Sequence, residues 1–205
     1  MNVLLAEMSR RLAVRASFDC SRPFEKVPLS SAAGPVRFEI AHEFDIPLDA
    51  LELAVISPSL VDKLTPKLAK SNIEEIQQRS YSLKDGVLER VWHYQANVRI
   101  PAFAKGYVTK EMCAWDEHST YDLKRHRSTW TIAPNIKVEW QKYFQASGTY
   151  EIIALGDGRA KRVVVGELEL KVPVVRQMAE RMIVNEVKKT FDAEAATLRD
   201  MATLV

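Results

Sequence analysis

Chemistry in this chain has to be sought in scattered polar residues on apolar faces. His42 falls in phase with Val36, Phe38, Ile40 and Phe44, and Glu186 and Thr190 fall within an otherwise apolar helical stripe. Such positions suit a ligand headgroup, because a carboxylate buried without a partner is costly. A carboxyl with a raised pKa there could also act as a general acid or base. The plain alternative is that Glu186 and Thr190 sit at the stripe's margin and meet water. A second set is aromatic: Trp92, Tyr94, Trp115, Trp130 and Tyr150 recur at alternate positions, facing Met178 and Met182 of the helix. Residues of these types either fill a core or line an apolar pocket, in which methionines adapt to varied contents. Phe38, Ile40, Val98, Phe103, Ile132, Ile152 and Leu168 complete this candidate ligand pocket, with His42 and Glu186 as its polar members.

Compact catalytic motifs are absent. The seven glycines build no phosphate-cradling loop or dinucleotide fingerprint, and there is no G-x-S-x-G elbow. The four histidines never stand at metal-ligand spacing, and Cys20 and Cys113 form no CxxC pair. No catalytic residue, metal or cofactor is therefore assigned. Two cysteines in 205 residues also fit a reducing, cytoplasmic compartment rather than a disulfide-stapled secreted fold. No run approaches the roughly 18 apolar residues of a membrane span.

Charge is divided unevenly along the chain. Residues 1–34 carry Arg10, Arg11, Arg15, Arg22 and Lys26 against Glu7, Asp19 and Glu25, which accounts for the whole formal charge of +2. The remaining 24 basic and 24 acidic residues cancel. A neutral body gives no electrostatic basis for binding nucleic acid. Leu4, Leu5, Met8 and Leu12 give the first residues a short amphipathic helical pattern, followed by a Ser-, Ala- and Gly-containing stretch to Pro35. The reading is a flexible tail over 1–34, with organelle targeting or surface anchoring as its sharper alternative, and one domain over 35–205.

Within that domain the pattern is α+β. Val36 to Phe44 alternate as a half-buried strand; two short helices follow, broken by Ser57-Pro58. Residues 73–83 are polar on both faces, as an edge strand can be, and Lys84-Asp85-Gly86 signals a hairpin. Further alternating segments run to Ile100, through Trp115 and Tyr121, through Ser128 to Ile132, from Phe144 to Ala154, and from Val164 to Val172. One apolar and one wet face would mark an antiparallel sheet covered on one side. From Val174 to about Met201 neither Gly nor Pro occurs, and a helix of that length, about 40 Å, can cross a whole sheet.

A curved antiparallel sheet of six to seven strands around a long C-terminal helix, with two short helices after the first strand, resembles the helix-grip fold. That fold belongs to START-like lipid-transfer domains, the birch-pollen-allergen superfamily and polyketide-cyclase-like proteins. Locally, Ile100-Pro101-Ala102-Phe103-Ala104-Lys105 resembles a segment of a bacterial START-like family of unknown function. So does Glu167-Leu168-Glu169-Leu170-Lys171-Val172-Pro173-Val174-Val175, followed by Glu180, Ile183, Val187 and Ala193-Glu194-Ala195. The chain departs from that family at Arg176 and Gln177, where glycines are usual, and at Val138-Glu139-Trp140-Gln141-Lys142, where a Pro-Gly turn is usual.

The resemblance implies a protein that binds, or both binds and transfers, a hydrophobic small molecule or lipid between sheet and helix. A cyclase, dehydratase or hydrolase using the same space, and a protein-interaction adaptor, stand as alternatives. Phe103, Tyr107, Trp140, Tyr143 and Phe144 beside lysines could touch a membrane surface transiently, or pack as a lid over the core. Deleting residues 1–34 should leave ligand binding unchanged in a binding titration while abolishing any surface association that the basic tail drives.

Overall fold

The computed structural model describes residues 34–97, 113–171 and 176–203. The chain begins with strand β1 (Val36–Phe44) and continues through helices α1 (Leu48–Ile56) and α2 (Leu60–Leu64) and a 3-10 segment (Thr65–Lys70). Six strands follow: β2 (Ile73–Lys84), β3 (Val87–Ala96), β4 (Ala114–Asp122), β5 (Arg127–Pro134), β6 (Phe144–Gly156) and β7 (Arg159–Leu170). A single helical turn, α3 (Val138–Gln141), stands between β5 and β6, in place of the Pro-Gly turn, and α4 (Arg176–Ala202) closes the chain. The strands form one antiparallel sheet in the order β1-β7-β6-β5-β4-β3-β2. That is the α+β architecture expected from the sequence. The tail over residues 1–33, the 101–110 connection and Pro173 lie outside the described residues.

Local chemistry explains the elements. Asp85-Gly86 and Asp157-Gly158 all have positive φ, the backbone state that a two-residue hairpin matched to strand twist demands. Ser57 is extended because Pro58 follows it, which ends α1. The polar β2 is an edge strand, as expected, and β1 is the other edge.

The densest packing lies at one end of the sheet. Phe44, Leu51, Val55, Leu60, Leu64, Leu88, Val164 and Leu198 are almost completely buried there, each side chain contributing roughly 1.5–3 kcal/mol of burial. Hydrogen bonds tie the covering helices to the strands. Tyr81 Oη donates to Ile56 O at 2.7 Å and Tyr121 Oη to Glu52 Oε1 at 2.7 Å. On the last helix, Lys67 Nζ donates to Ala196 O at 2.9 Å and also binds Asp200.

Arg162 is the deepest polar side chain, with no exposed surface. It projects from the inner face of β7 and donates through Nη1 to Glu194 Oε2 at 2.8 Å and through Nη2 to Phe191 O at 2.7 Å, both on α4. Nη2 also lies 3.1 Å from His42 Nδ1 on β1. That contact makes Nδ1 the acceptor, so the imidazole is neutral and Nε2–H donates to Asp192 Oδ1 at 2.8 Å. Burial, the leading cause, lowers the His42 pKa and outweighs the Asp192 hydrogen bond that raises it. A single guanidinium thus joins the first strand, the last strand and the last helix.

Breaking a buried ion pair by removing one partner costs more than replacing both, because the remaining charge stays desolvated. Arg162→Ala should lower unfolding stability by about 3–5 kcal/mol in urea melts, and Arg162→Met with Glu194→Leu should recover most of that loss.

Candidate functional site

Antiparallel register brings the inner-face residues into rows across the sheet. Trp92 stands opposite Glu117, and Glu117 opposite Ile132. The next row runs Arg90, Ser119, Trp130, Gly148, Gly166 and Phe38, and the one after it Leu88, Tyr121, Ser128, Tyr150, Val164 and Ile40. Tyr94 and Trp115 stack at 5.2 Å, and Trp92 meets Tyr94 edge-on at 6.4 Å.

Two glycines set the floor of this face. A Cβ on Gly148 would fall 2.4 Å from the Trp130 ring, and one on Gly166 would fall 2.3 Å from the Phe38 ring. Cross-strand partners without side chains therefore let two aromatic rings lie against the backbone. Phe38 and Trp130 are themselves stacked, with centroids 6.3 Å apart.

The inner face is not uniformly apolar, which corrects the expectation of one greasy and one wet side. Arg90, Glu117 and Ser119 form a polar patch at its centre. Arg90 lies over the Trp92 ring at 4.0 Å, donates through Nε to Ser119 Oγ at 3.2 Å and through Nη1 to Val55 O at 3.0 Å. Among the described residues its Nη2 has no hydrogen-bond partner. Glu117 sits deep in the protein and keeps some accessible surface, and no hydrogen bond or ion pair among the described residues reaches its carboxyl. Burial pushes its pKa up to about 7, against the nearby positive charge of Arg90, while Glu194 adds to the rise. Among the described residues, the buried Trp92 Nε1, Trp130 Nε1, Tyr150 Oη and Arg162 Nε have no hydrogen bond of normal geometry, though Tyr150 and the Arg162 guanidinium lie close enough to interact. Native proteins leave few such groups, and here three of the four lie on inner-face positions in or next to the row of the polar patch.

The residues expected to form a pocket divide into groups. Trp92, Tyr94, Trp130 and Tyr150 are buried on the concave face, and Phe38, Trp115 and Ile132 are half-buried beside them. Ile40, Ile152 and Leu168 are buried core residues. His42 has both ring nitrogens engaged, Nδ1 by Arg162 and Nε2 by Asp192. Glu186 lies on α4 where its carboxylate accepts from Asn72 N at 3.1 Å and pairs with Lys189 at 2.7 Å, and Thr190 donates to Glu186 O at 3.0 Å. Glu186 is thus engaged in holding α4 to the start of β2. Val98, Phe103 and the side chains of Met178 and Met182 lie outside the described residues, as do Tyr107 and the Trp140 side chain.

Sequence reading gave no site role to Arg90, Glu117, Arg162 or Glu194. The first three share the phase of their strands' inner positions, two residues from Trp92, Trp115 and Val164, and that phase was the available signal.

An open depression of about 420 Å³ is lined by Ser80, Glu89, Val91, His118, Thr120, Thr129 and Thr131 together with Arg90, Ser119 and Trp130. Its walls are mostly exposed polar side chains. Among the described residues no three His, Cys, Asp or Glu side chains gather as metal ligands, and no helix is long and apolar enough to cross a membrane.

Residues 39–201 match a family model described as protein of unknown function (DUF2505). No curated protein matches the chain. Similar solved structures include TTHA0849 from Thermus thermophilus, at TM-score 0.56 and 12% identity, covering 82% of this chain and 98% of that one. Another is the Zhui aromatase/cyclase from Streptomyces sp. R1128, at TM-score 0.56 and 12% identity over 83% and 94% of the two chains. A third is norcoclaurine synthase from Thalictrum flavum, at TM-score 0.51 and 15% identity over 79% and 86%. Likeness at such identities is likeness of fold, and the fold is helix-grip.

The raised Glu117 pKa has a signed consequence. Between an ordinary 4.5 and about 7 the folded protein binds a proton that the unfolded chain does not, so this group's contribution to stability declines as pH rises through that window. In urea melts at pH 8, Glu117→Gln should therefore be more stable than wild type, by up to about 3 kcal/mol at roughly 1.4 kcal/mol per pH unit. The difference from wild type should shrink towards zero at pH 5.

Proposed function

The chain belongs to the family described as protein of unknown function (DUF2505), so its activity must be argued from the site, and we propose that it binds a hydrophobic small molecule or lipid between the concave sheet face and α4. The observation that carries this reading is the contrast along that face. At one end Phe44, Leu51, Leu88 and Leu198 pack to near-zero exposure. Towards the other, buried Trp92, Tyr94 and Leu168 stand directly opposite Glu117, Trp115 and Ala146, which like Phe38 and Ile132 on the sheet and Ile183 and Val187 on the helix are only half-buried. Apolar walls with a few convergent polar groups are the usual composition of a small-molecule site.

A second reading is an enzyme of the cyclase, dehydratase or hydrolase type in the same space. It is favoured by one residue, Glu117, whose carboxyl near neutrality can give or take a proton at working pH. Two structural neighbours carry enzyme names, one an aromatase/cyclase and one a synthase, but fold does not transmit activity.

Ile132→Trp tests the binding reading by placing bulk on the half-buried part of the concave face. Wild-type protein purified from its native host should carry non-covalent mass of small-molecule or lipid size in native mass spectrometry. The variant should lose that mass while melting within a few degrees of wild type. Wild-type protein that is consistently free of bound mass and takes up no hydrophobic probe would end this reading.

A further inference from the structure

We infer that the outer edge of β1 is a self-association surface, on which β1 of a second copy pairs antiparallel with Arg37 of each chain opposite Glu43 of the other. This goes beyond the ligand-binding reading and stands independently of it.

Hydrogen-bond parity identifies the groups on that edge. Lys171 N donates to Tyr143 O at 2.8 Å, in register with the β6–β7 ladder. Odd-numbered residues of β7 therefore bond to β6, and the even-numbered ones from Ala160 to Leu168 bond to β1. Their partners are the even-numbered residues of β1, so Arg37, Glu39, Ala41 and Glu43 turn their N–H and C=O groups outward. All four residues are exposed. Side chains of α4 cap the two ends of this edge. Glu180 accepts from Leu170 N, just beyond the start of β1, and Arg199 donates to Glu43 O at 3.0 Å. Between those caps, no hydrogen bond among the described residues reaches the outward groups of Arg37, Glu39 or Ala41.

Charge then sets the register. Charges on an edge strand ordinarily discourage pairing, because like charges directly opposite are destabilising. About a two-fold axis, the usual symmetry of a homodimer, outward residues oppose outward residues. Placing Arg37, Glu39 or Glu43 opposite itself repels. Placing Ala41 opposite itself or opposite Glu43 sets Glu39 against Glu43 or Asp45. Opposing Arg37 to Glu39 attracts, but it brings Pro35, which has no N–H, into the joint. Centring the axis on Ile40 opposes Arg37 to Glu43 and Glu39 to Ala41, and aligns the whole edge. Within one chain Arg37 pairs with Glu167 at 2.7 Å, and Glu43 stands opposite Lys161. The row across the joint thus reads Glu167, Arg37, Glu43, Lys161, alternating in sign, and symmetry repeats it. The Glu43 carbonyl holds Arg199 on one lone pair and has a second for the incoming N–H.

Sedimentation equilibrium of the full chain over roughly 5–200 μM, a range suited to the weak interface that one strand pair makes, tests the joint. Wild type should pass from monomer towards dimer across that range. Arg37→Glu alone and Glu43→Arg alone should each weaken dimerisation roughly tenfold or more, since two attractions become two repulsions. An equimolar mixture of these two variants should dimerise as wild type does, because reversed charges then face reversed ones and native face native. Ala41→Pro, which removes a central N–H at a position where an edge strand tolerates proline, should be monomeric. Wild type that stays monomeric throughout would overturn the inference. Dimers that persist in Ala41→Pro and in both charge reversals would overturn it by placing the contact on another surface, and a mixture that stays monomeric would overturn the register and the inference with it.

Discussion

The buried Arg162 guanidinium is the constraint on which the arrangement of this domain depends. A cation with no exposed surface is tolerable only when its charge is paired and hydrogen-bonded. The partners come from two separated segments: Glu194 and the Phe191 carbonyl on α4, and His42 on β1. Phe44, Tyr150 and Phe191 surround the charge with ring faces at 5.5–6.0 Å. The C-terminal half of the helix is thereby pinned to one end of the sheet. Its N-terminal half is held differently, by Glu180 accepting from Leu170 N at 3.1 Å and by Glu186 at Asn72.

This division of labour explains why the concave face has two characters. Where α4 is clamped, side chains interlock as in any protein core. Away from the clamp, the aromatic rows are paired mainly with one another, and the polar patch at Arg90 and Glu117 carries charges that no described neighbour fully satisfies. A core that existed for stability alone would gain by replacing an unpartnered buried carboxyl with a hydrocarbon. Stored electrostatic imbalance of this kind is the usual signature of a place where something else completes the set.

Much of the architecture was legible in residue order, because a half-buried strand writes its face into alternation. Val36 to Phe44, Trp92 to Ala96 and Phe144 to Ile152 all obeyed that rule, and Asp-Gly pairs marked two hairpins. The long C-terminal helix was equally plain. Function was less legible because the interior departs from the rule that polar means outside. Glu117 sits in the run Asp116-Glu117-His118-Ser119-Thr120, where neighbours on both sides are polar and alternation is invisible. Arg162 follows Lys161 and reads as one more turn-proximal base. Conversely, His42 and Glu186 stood out against apolar surroundings, yet their partners Arg162, Asp192, Asn72 and Lys189 come from a distant strand or from loop and helix positions that alternation along one strand does not reveal.

The order of the strands carries a further consequence, for how the domain is made. β2 to β7 form a meander in which each strand pairs with the one before it, so the sheet can grow hairpin by hairpin as the chain emerges. β1 is synthesised first but finds its place beside β7, and the His42–Arg162 contact spans 120 residues. Until the last strand appears, Ile40 and Phe44 have no cover and the edge of β1 no mate. Closing so long a loop is slow, because its entropic cost comes before the contact contributes anything. Biogenesis of this protein is therefore set by a late meeting of its two ends, with the Arg162 clamp as the event that completes it.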